Sequence, residues 1–233
     1  MRSRVMAVPG LVLLAVLAGC NGSKPTSTGT PEPTPSTSPT ADAATAELAR
    51  LAGLGAQLSY SAQYRISGKA PGISRLVRTP TQYRFELTTG TRLKQRRAIL
   101  IGTPAGTISC TTAPAPATCF NVAGPGQPVP AVFDAGLQHV FTDYLTVMAQ
   151  GANGYLVTTA PTQVSDSACF LVSPLATPAP AGGVAAGTYC FATDGAITRV
   201  VYPSGQGLLM SRGATPKSAD FNPPVKPQPL PKS

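Results

Sequence analysis

From position 58 onward apolar and polar residues change places at every step: Leu58, Tyr60, Ala62, Tyr64 and Ile66 alternate with Ser59, Ser61, Gln63, Arg65 and Ser67. In an extended chain successive side chains point to opposite faces, so this pattern describes a strand buried on one side and wet on the other. That is the signature of an antiparallel sheet, because parallel strands are covered on both faces and read as continuous apolar runs. Tyr83, Phe85 and Leu87 alternate with Arg84 and Glu86 in the same way. Shorter runs at 98–101, 107–110, 119–122, 155–158, 168–172, 188–192, 197–202 and 208–210 read as further strands. Asp194-Gly195 between two of them supplies the positive φ angles of a tight hairpin turn.

Two segments have a helical period instead. Phe133, Leu137, Val140, Phe141, Tyr144, Leu145 and Met148 recur at steps of three and four, which predicts one helix over 130–150 with a single apolar stripe. The Ala-rich stretch 41–54, with Leu48, Leu51 and Leu54, predicts another. Striped helices must bury their apolar side, and the largest apolar surface on offer is one face of the sheet. The expectation is an α+β domain over residues 41–212, with helices packed on the concave face of a curved antiparallel sheet.

The ends of the chain differ from its middle. Arg2 and Arg4 precede an almost wholly apolar run at 5–18, which ends in Leu17-Ala18-Gly19-Cys20. A basic start and a short apolar run followed by small residues describe a secretory signal peptide over 1–19, too short to span a bilayer comfortably. Its last four residues resemble the bacterial lipobox, which implies diacylglyceryl transfer to Cys20 and cleavage before it. The expected localisation is the extracytoplasmic face of the cell membrane, by lipid anchor, with no transmembrane helix in the mature chain. Residues 20–40 are mainly Pro, Thr, Ser and Gly and read as an extended spacer. The tail 213–233, with six prolines and three lysines, reads as disordered.

Of the five cysteines, four remain once Cys20 is set aside, and an even number in an exported chain suggests disulfides. Cys110 with Cys119 and Cys169 with Cys190 is the pairing chosen from three connectivities, because each pair flanks a Pro/Gly/Ala-rich loop between two apolar runs. A metal site is disfavoured, since no Cys-x-x-Cys occurs and His139 is the sole histidine.

The element order of acylated Cys, spacer, first helix, antiparallel strands, inserted helix and further strands is similar to the LolA-like superfamily, in particular the actinobacterial LprG/LppX-type lipoproteins. The run Gly187-Thr188-Tyr189-Cys190-Phe191-Ala192-Thr193-Asp194-Gly195 resembles a hairpin of exported actinobacterial lipoproteins. The resemblance covers residues 41–212 and implies a half-barrel wrapped round its helices, with a lipid or glycolipid ligand between helix and sheet. The residues expected to line such a site are Tyr60, Tyr64, Ile66, Phe85, Leu87, Phe141, Tyr144 and Leu145.

Charge suggests a different partner. Residues 50–97 carry ten bases against Glu86 alone, whereas 98–198 carry four aspartates and no Lys or Arg. Arg65, Arg84, Arg92, Lys94 and Arg96 are the expected contacts to an anionic surface, whether wall polymer, lipid headgroup or acidic partner protein. A non-enzymatic envelope docking module is therefore the alternative to an amphiphile carrier. Export argues against nucleic acid. His139 and Asp143 lie one helical turn apart, but no Gly-x-Ser-x-Gly or phosphate-binding loop accompanies them. No catalytic residue, metal or cofactor is expected.

Overall fold

A computed structural model describes residues 41–231, apart from 70, 92–93, 114–115, 163, 177–181 and 204. The expected signal peptide (1–19), Cys20, the expected spacer (20–40) and Arg92 lie outside the described residues. The fold opens with α1 (Ala41–Gln57), followed by β1 (Tyr60–Gly68), β2 (Gly72–Arg78), β3 (Tyr83–Thr89), β4 (Arg96–Thr103), β5 (Gly106–Ala113) and β6 (Thr118–Ala123). A 3₁₀ turn (Leu137–Phe141) and α2 (Asp143–Ala149) follow. The strands resume with β7 (Tyr155–Ala160), β8 (Ser167–Pro174), β9 (Gly187–Ala192), β10 (Ile197–Tyr202) and β11 (Gly205–Gly213), and a last short strand, β12 (Gln228–Pro229), ends the series.

All twelve strands form one sheet, in the order β12-β6-β5-β4-β3-β2-β1-β11-β10-β9-β8-β7. Two meanders, β1 to β6 and β7 to β11, are joined where β1 pairs antiparallel with β11. The sheet is curved and the class is α+β, as the residue pattern implied. Register shifts at Gln63/Tyr64, Arg97/Ala98, Thr107/Ile108 and Ile197/Arg199 interrupt the ladders, and such bulges bend and twist a sheet. The strand β2 has no counterpart in the expected runs. Its alternation is broken because Leu76, Val77 and Arg78 are all buried, the first two in clusters on opposite faces of the sheet.

The main core joins α1, the 3₁₀ turn and α2 to one face of β1, β2, β3, β7, β8, β9 and β10. The buried residues of α1 are Ala44, Leu48, Leu51, Ala52 and Gly55, spaced by one and two turns, while Leu54 is exposed. The end of α1 meets the β9–β10 turn backbone to backbone. A Cβ at Gly55 would collide with the Gly195 carbonyl, and Gly195 holds φ at +88°. Asp194-Gly195 thus serves two ends at once, a tight turn and a close helix contact. Helix α1 is closed by Arg78 of β2, whose Nη1 and Nη2 donate to the carbonyls of Gly55 and Ala56 at 2.8 Å each.

The single helix expected over 130–150 is not formed. Gly136 takes φ +74° and its N–H donates to Asp134 Oδ1 at 2.7 Å, which turns the chain before Leu137. A second break at Thr142, with φ −130° and ψ −95°, separates the 3₁₀ turn from α2. Phe133 is consequently half-buried and outside the stripe, whereas Leu137, Val140, Phe141, Leu145 and Met148 remain in the core.

A second cluster occupies the opposite face of the sheet: Val77, Ile99, Ile101, Cys110, Cys119 and Phe221. Its last member corrects the expectation of a disordered tail over 213–233 and moves the domain boundary beyond residue 212. Phe221 is buried at the end of a 3₁₀ turn (Ser218–Phe221), and Arg84 Nη1 donates to the carbonyls of Asp220 and Asn222 at 3.3 and 2.8 Å. Gln228 and Pro229 then pair in parallel with Phe120 and Asn121 of β6, covering that sheet edge. One large aromatic side chain supplies burial, and the prolines reduce the entropy lost on ordering. Both disulfides pair directly opposite residues, Cys110–Cys119 across β5 and β6 and Cys169–Cys190 across β8 and β9.

Candidate functional site

The eight residues expected to line a ligand site sit in the main core. Tyr60, Tyr64, Ile66, Phe85, Phe141 and Leu145 are buried, and Leu87 and Tyr144 pack against them half-buried. The Tyr64 and Phe141 rings lie 4.7 Å apart, Phe85 lies 6.3 Å from Phe141, and Tyr64 donates its hydroxyl to the Ile197 carbonyl at 2.9 Å. At this place side chains fill the space between helices and sheet. Tyr144 differs from the rest, because it also faces two depressions beside the core.

The larger depression is a cleft of about 790 Å³ between the Tyr83 and Gly102 end of the β3–β4 pair, the chain leaving β6, and the segment 134–144. Thr81, Thr103, Thr107 and Gln127 supply polar groups along it. Tyr83 stands directly across from Gly102, and a Cβ at Gly102 would overlap the Tyr83 ring, so the ring rests flat on the glycine. Burial, together with the nearby Asp143, pushes the Tyr83 hydroxyl up to about 12, against a hydrogen bond with Thr107.

Asp134, His139 and Asp143 meet in this cleft. His139 Nδ1 lies 2.7 Å from Asp143 Oδ2, and Nε2 lies 2.9 Å from Asp134 Oδ2. Ionised carboxylates only accept, so both ring nitrogens must donate and the ring is an imidazolium. The hydrogen bond to Asp143 is the main cause that raises the His139 pKa to about 9, burial opposes it, and Asp134 adds to the rise. Burial also works against ionisation of Asp134, but hydrogen bonds from His139, Gln138 and Gly136 hold its carboxyl below the usual range. With both nitrogens engaged, His139 offers no lone pair to a substrate; it acts as a clamp between the turn at Gly136 and α2. Sequence spacing pointed only to the Asp143 partner. Asp134 reaches the ring because Gly136 breaks the helix between them.

This clamp gives stability a defined pH dependence. A histidine whose folded pKa stands near 9 against an unfolded value of 6.5 stabilises the fold fully below about pH 6.5, and the contribution is lost as pH rises through about 9. The expected loss is on the order of 2 kcal/mol, discounted because Asp143 is well exposed. Urea unfolding at pH 6, 7.5 and 9.5 should show this decline, and His139→Gln should flatten it. An unchanged slope in the variant would remove the imidazolium assignment.

The second depression, about 210 Å³, is lined by Leu137, Val140, Tyr144, Ala185, Tyr189 and Tyr202, with Ala135 and Gly136 at its side. It lies between the 3₁₀ turn and the sheet, and it shares Gly136 and Tyr144 with the cleft. Tyr144 stacks on His139 at 5.8 Å and meets Tyr189 edge-on at 6.5 Å. Tyr189 donates to the Ala185 carbonyl at 2.6 Å, and burial first, then neighbouring Tyr144 and Tyr155, push its hydroxyl pKa up. The Tyr155 hydroxyl is buried with no hydrogen-bond partner among the described residues. No known protein family and no curated protein matches the chain.

Among the described residues, the expected anionic contacts are not all exposed. Arg84 is turned into the opposite face, bound to Glu86 at 2.6 Å and to the tail carbonyls, so it is a structural residue. Arg65, Lys94 and Arg96 are exposed. Cross-strand register aligns Arg65, Ile73, Thr88 and Arg97 in a row at one end of the sheet, and Arg75 is exposed beside it. Tyr83 and the cleft are at the other end of the same β3–β4 pair. Among the described residues no group of three or more His, Cys, Asp or Glu is arranged to hold a metal ion, and no helix is long and apolar enough to cross a membrane.

Proposed function

We propose that this chain is a membrane-anchored extracytoplasmic lipoprotein of LolA-like architecture that binds an amphiphilic ligand without transforming it. The observation that carries the reading is the junction at Gly136 and Tyr144, where a cleft of about 790 Å³ with a mixed polar and apolar lining opens beside a more apolar, tyrosine-lined pocket of about 210 Å³. Specific sites are commonly concave and mainly apolar, with a few placed polar groups, and the cleft falls within their usual size. A ligand with a polar head and a short apolar segment would satisfy both halves, with Tyr144 at the boundary. The pocket is too small for a whole acyl chain, so most of a long chain would extend beyond it. The leader, the Cys20 motif and helices held on one face of a curved sheet support the anchored, LolA-like part of the proposal.

Native mass spectrometry of the mature chain from an expression host related to its own, followed by solvent extraction, tests this. The expected result is a co-purifying amphiphile near one per protein, with Tyr144→Ala binding about tenfold more weakly, or about 1.4 kcal/mol. A ligand-free mass, together with no uptake of added short-chain amphiphile, would overturn the proposal. The exposed bases Arg65, Arg75, Lys94 and Arg96 at the far end of the sheet support the second reading, docking on an anionic surface. That reading requires binding that weakens steeply with salt.

A further inference from the structure

We propose that the larger cleft selects an uncharged, polyhydroxylated head group and rejects one bearing a phosphate. The inference rests on the amphiphile-binding reading and specifies the chemistry of its polar half. The chain carries a formal charge of +9, yet among the described residues the cleft is lined by no lysine or arginine. Its groups charged at neutral pH are Asp134, Asp143 and the imidazolium of His139, and because both His139 N–H groups are spent on the carboxylates the cluster keeps one net negative charge. Phosphate recognition ordinarily uses arginine forks, lysine or an unoccupied set of backbone N–H groups. Here the Gly136 N–H is already taken by Asp134.

What remains available suits hydroxyl groups. Thr81, Thr103, Thr107 and Gln127 offer uncharged donors and acceptors, and Asp143 Oδ1 accepts no hydrogen bond from the His139 clamp, which is made through Oδ2. The Tyr83 ring, held flat by Gly102, offers an apolar face to the C–H side of a ring-shaped polyol. A phosphate, by contrast, would bring its charge near two carboxylates in a partly desolvated cleft, where repulsion is only moderately screened.

The test is calorimetric titration of the mature chain from residue 20, carrying Cys20→Ser to remove the acylated thiol, with hexyl glucoside and with hexyl phosphate below their micelle concentrations. The two probes share an apolar segment and differ in the head. The expected result is binding of the glucoside, with the phosphate at least tenfold weaker at low salt and the phosphate affinity itself raised in Asp143→Asn. Equal or tighter binding of the phosphate would overturn the charge selection and leave the amphiphile reading standing. A phosphate affinity that does not rise in Asp143→Asn, with an unchanged far-ultraviolet circular dichroism spectrum as proof of fold, would overturn its assignment to this cluster. Failure of both probes would overturn the amphiphile reading itself.

Discussion

Replacing Phe141 by alanine is expected to lower the unfolding free energy by about 3–5 kcal/mol, the usual cost of deleting a fully buried aromatic ring. Phe141 has no exposed surface and lies against Tyr64 at 4.7 Å and Phe85 at 6.3 Å. Its loss removes both the transfer free energy of the ring and the contacts of its neighbours, which sit on β1 and β3 and cannot collapse into the gap without moving the sheet. Urea unfolding followed by far-ultraviolet circular dichroism measures the change. The result also separates two descriptions of the space between helices and sheet. If that space were a ligand chamber at this position, the variant would only enlarge it and the loss would stay near 1 kcal/mol or below.

Arg78→Met is expected to cost about 2–4 kcal/mol, a large effect for one side chain on a strand. Helix α1 ends with carbonyls that have no partner within the helix and with no basic residue in its last turn. Arg78 as a residue is only 5% exposed, and its guanidinium donates to two of those carbonyls. No carboxylate pairs with it among the described residues, so the negative end of the helix acts as its counter-charge. Burial lowers the Arg78 pKa, and the nearby Tyr60 and Tyr64 oppose that shift. Methionine keeps most of the stem's packing but removes both charge-assisted bonds, leaving the half-buried Ala56 carbonyl without a donor and the Gly55 carbonyl with only the Leu58 N–H at 3.2 Å; hydrogen bonds to a charged group contribute roughly 1.5–3 kcal/mol each. Arg78→Lys should recover only part of the loss, because a compact ammonium lacks the fork that reaches two acceptors at once. A loss below about 1 kcal/mol in Arg78→Met would show that water replaces the guanidinium and that the contact is incidental.

Much of the fold was legible in the residue pattern, and the misses have identifiable causes. Alternation in β1 and β3 is clear because one face meets the core and the other meets solvent or charged neighbours. In β2 both faces are covered at Val77 and Arg78, one by the cluster that includes Phe221 and the other by the end of α1, so the alternation disappears. The helix over 130–150 satisfied a 3.6-residue period and still broke, because Gly136 adopts a positive φ and Asp134 captures its N–H. The tail has a composition that opposes folding by itself, and it is ordered through contacts with strands more than a hundred residues away in sequence.

Of the candidate site, Tyr144, His139 and Asp143 were visible in the sequence and Asp134 was not, because its approach to His139 depends on the break at Gly136. Tyr83, Gly102, Thr107 and Tyr189 carried no local signal, since each is ordinary within its own strand and gains meaning from what stands opposite. The charge asymmetry between 50–97 and 98–198 is a sequence property. That Arg84 spends its charge on Glu86 and the tail, while Arg65 and Arg75 stay exposed, is not.

The sequence by itself determined what depends on neighbours along the chain: strand and helix periods, the Asp194-Gly195 turn, and the cysteine pairs of adjacent hairpin strands. The tertiary structure decided what depends on distant partners. It put Arg78 on the end of α1, Phe221 on the far face of the sheet, and a cleft of mixed lining and a more apolar pocket on either side of Tyr144. Periodicity reports which face a side chain takes, but only packing decides whether the opposing surface is a filled core or an opening.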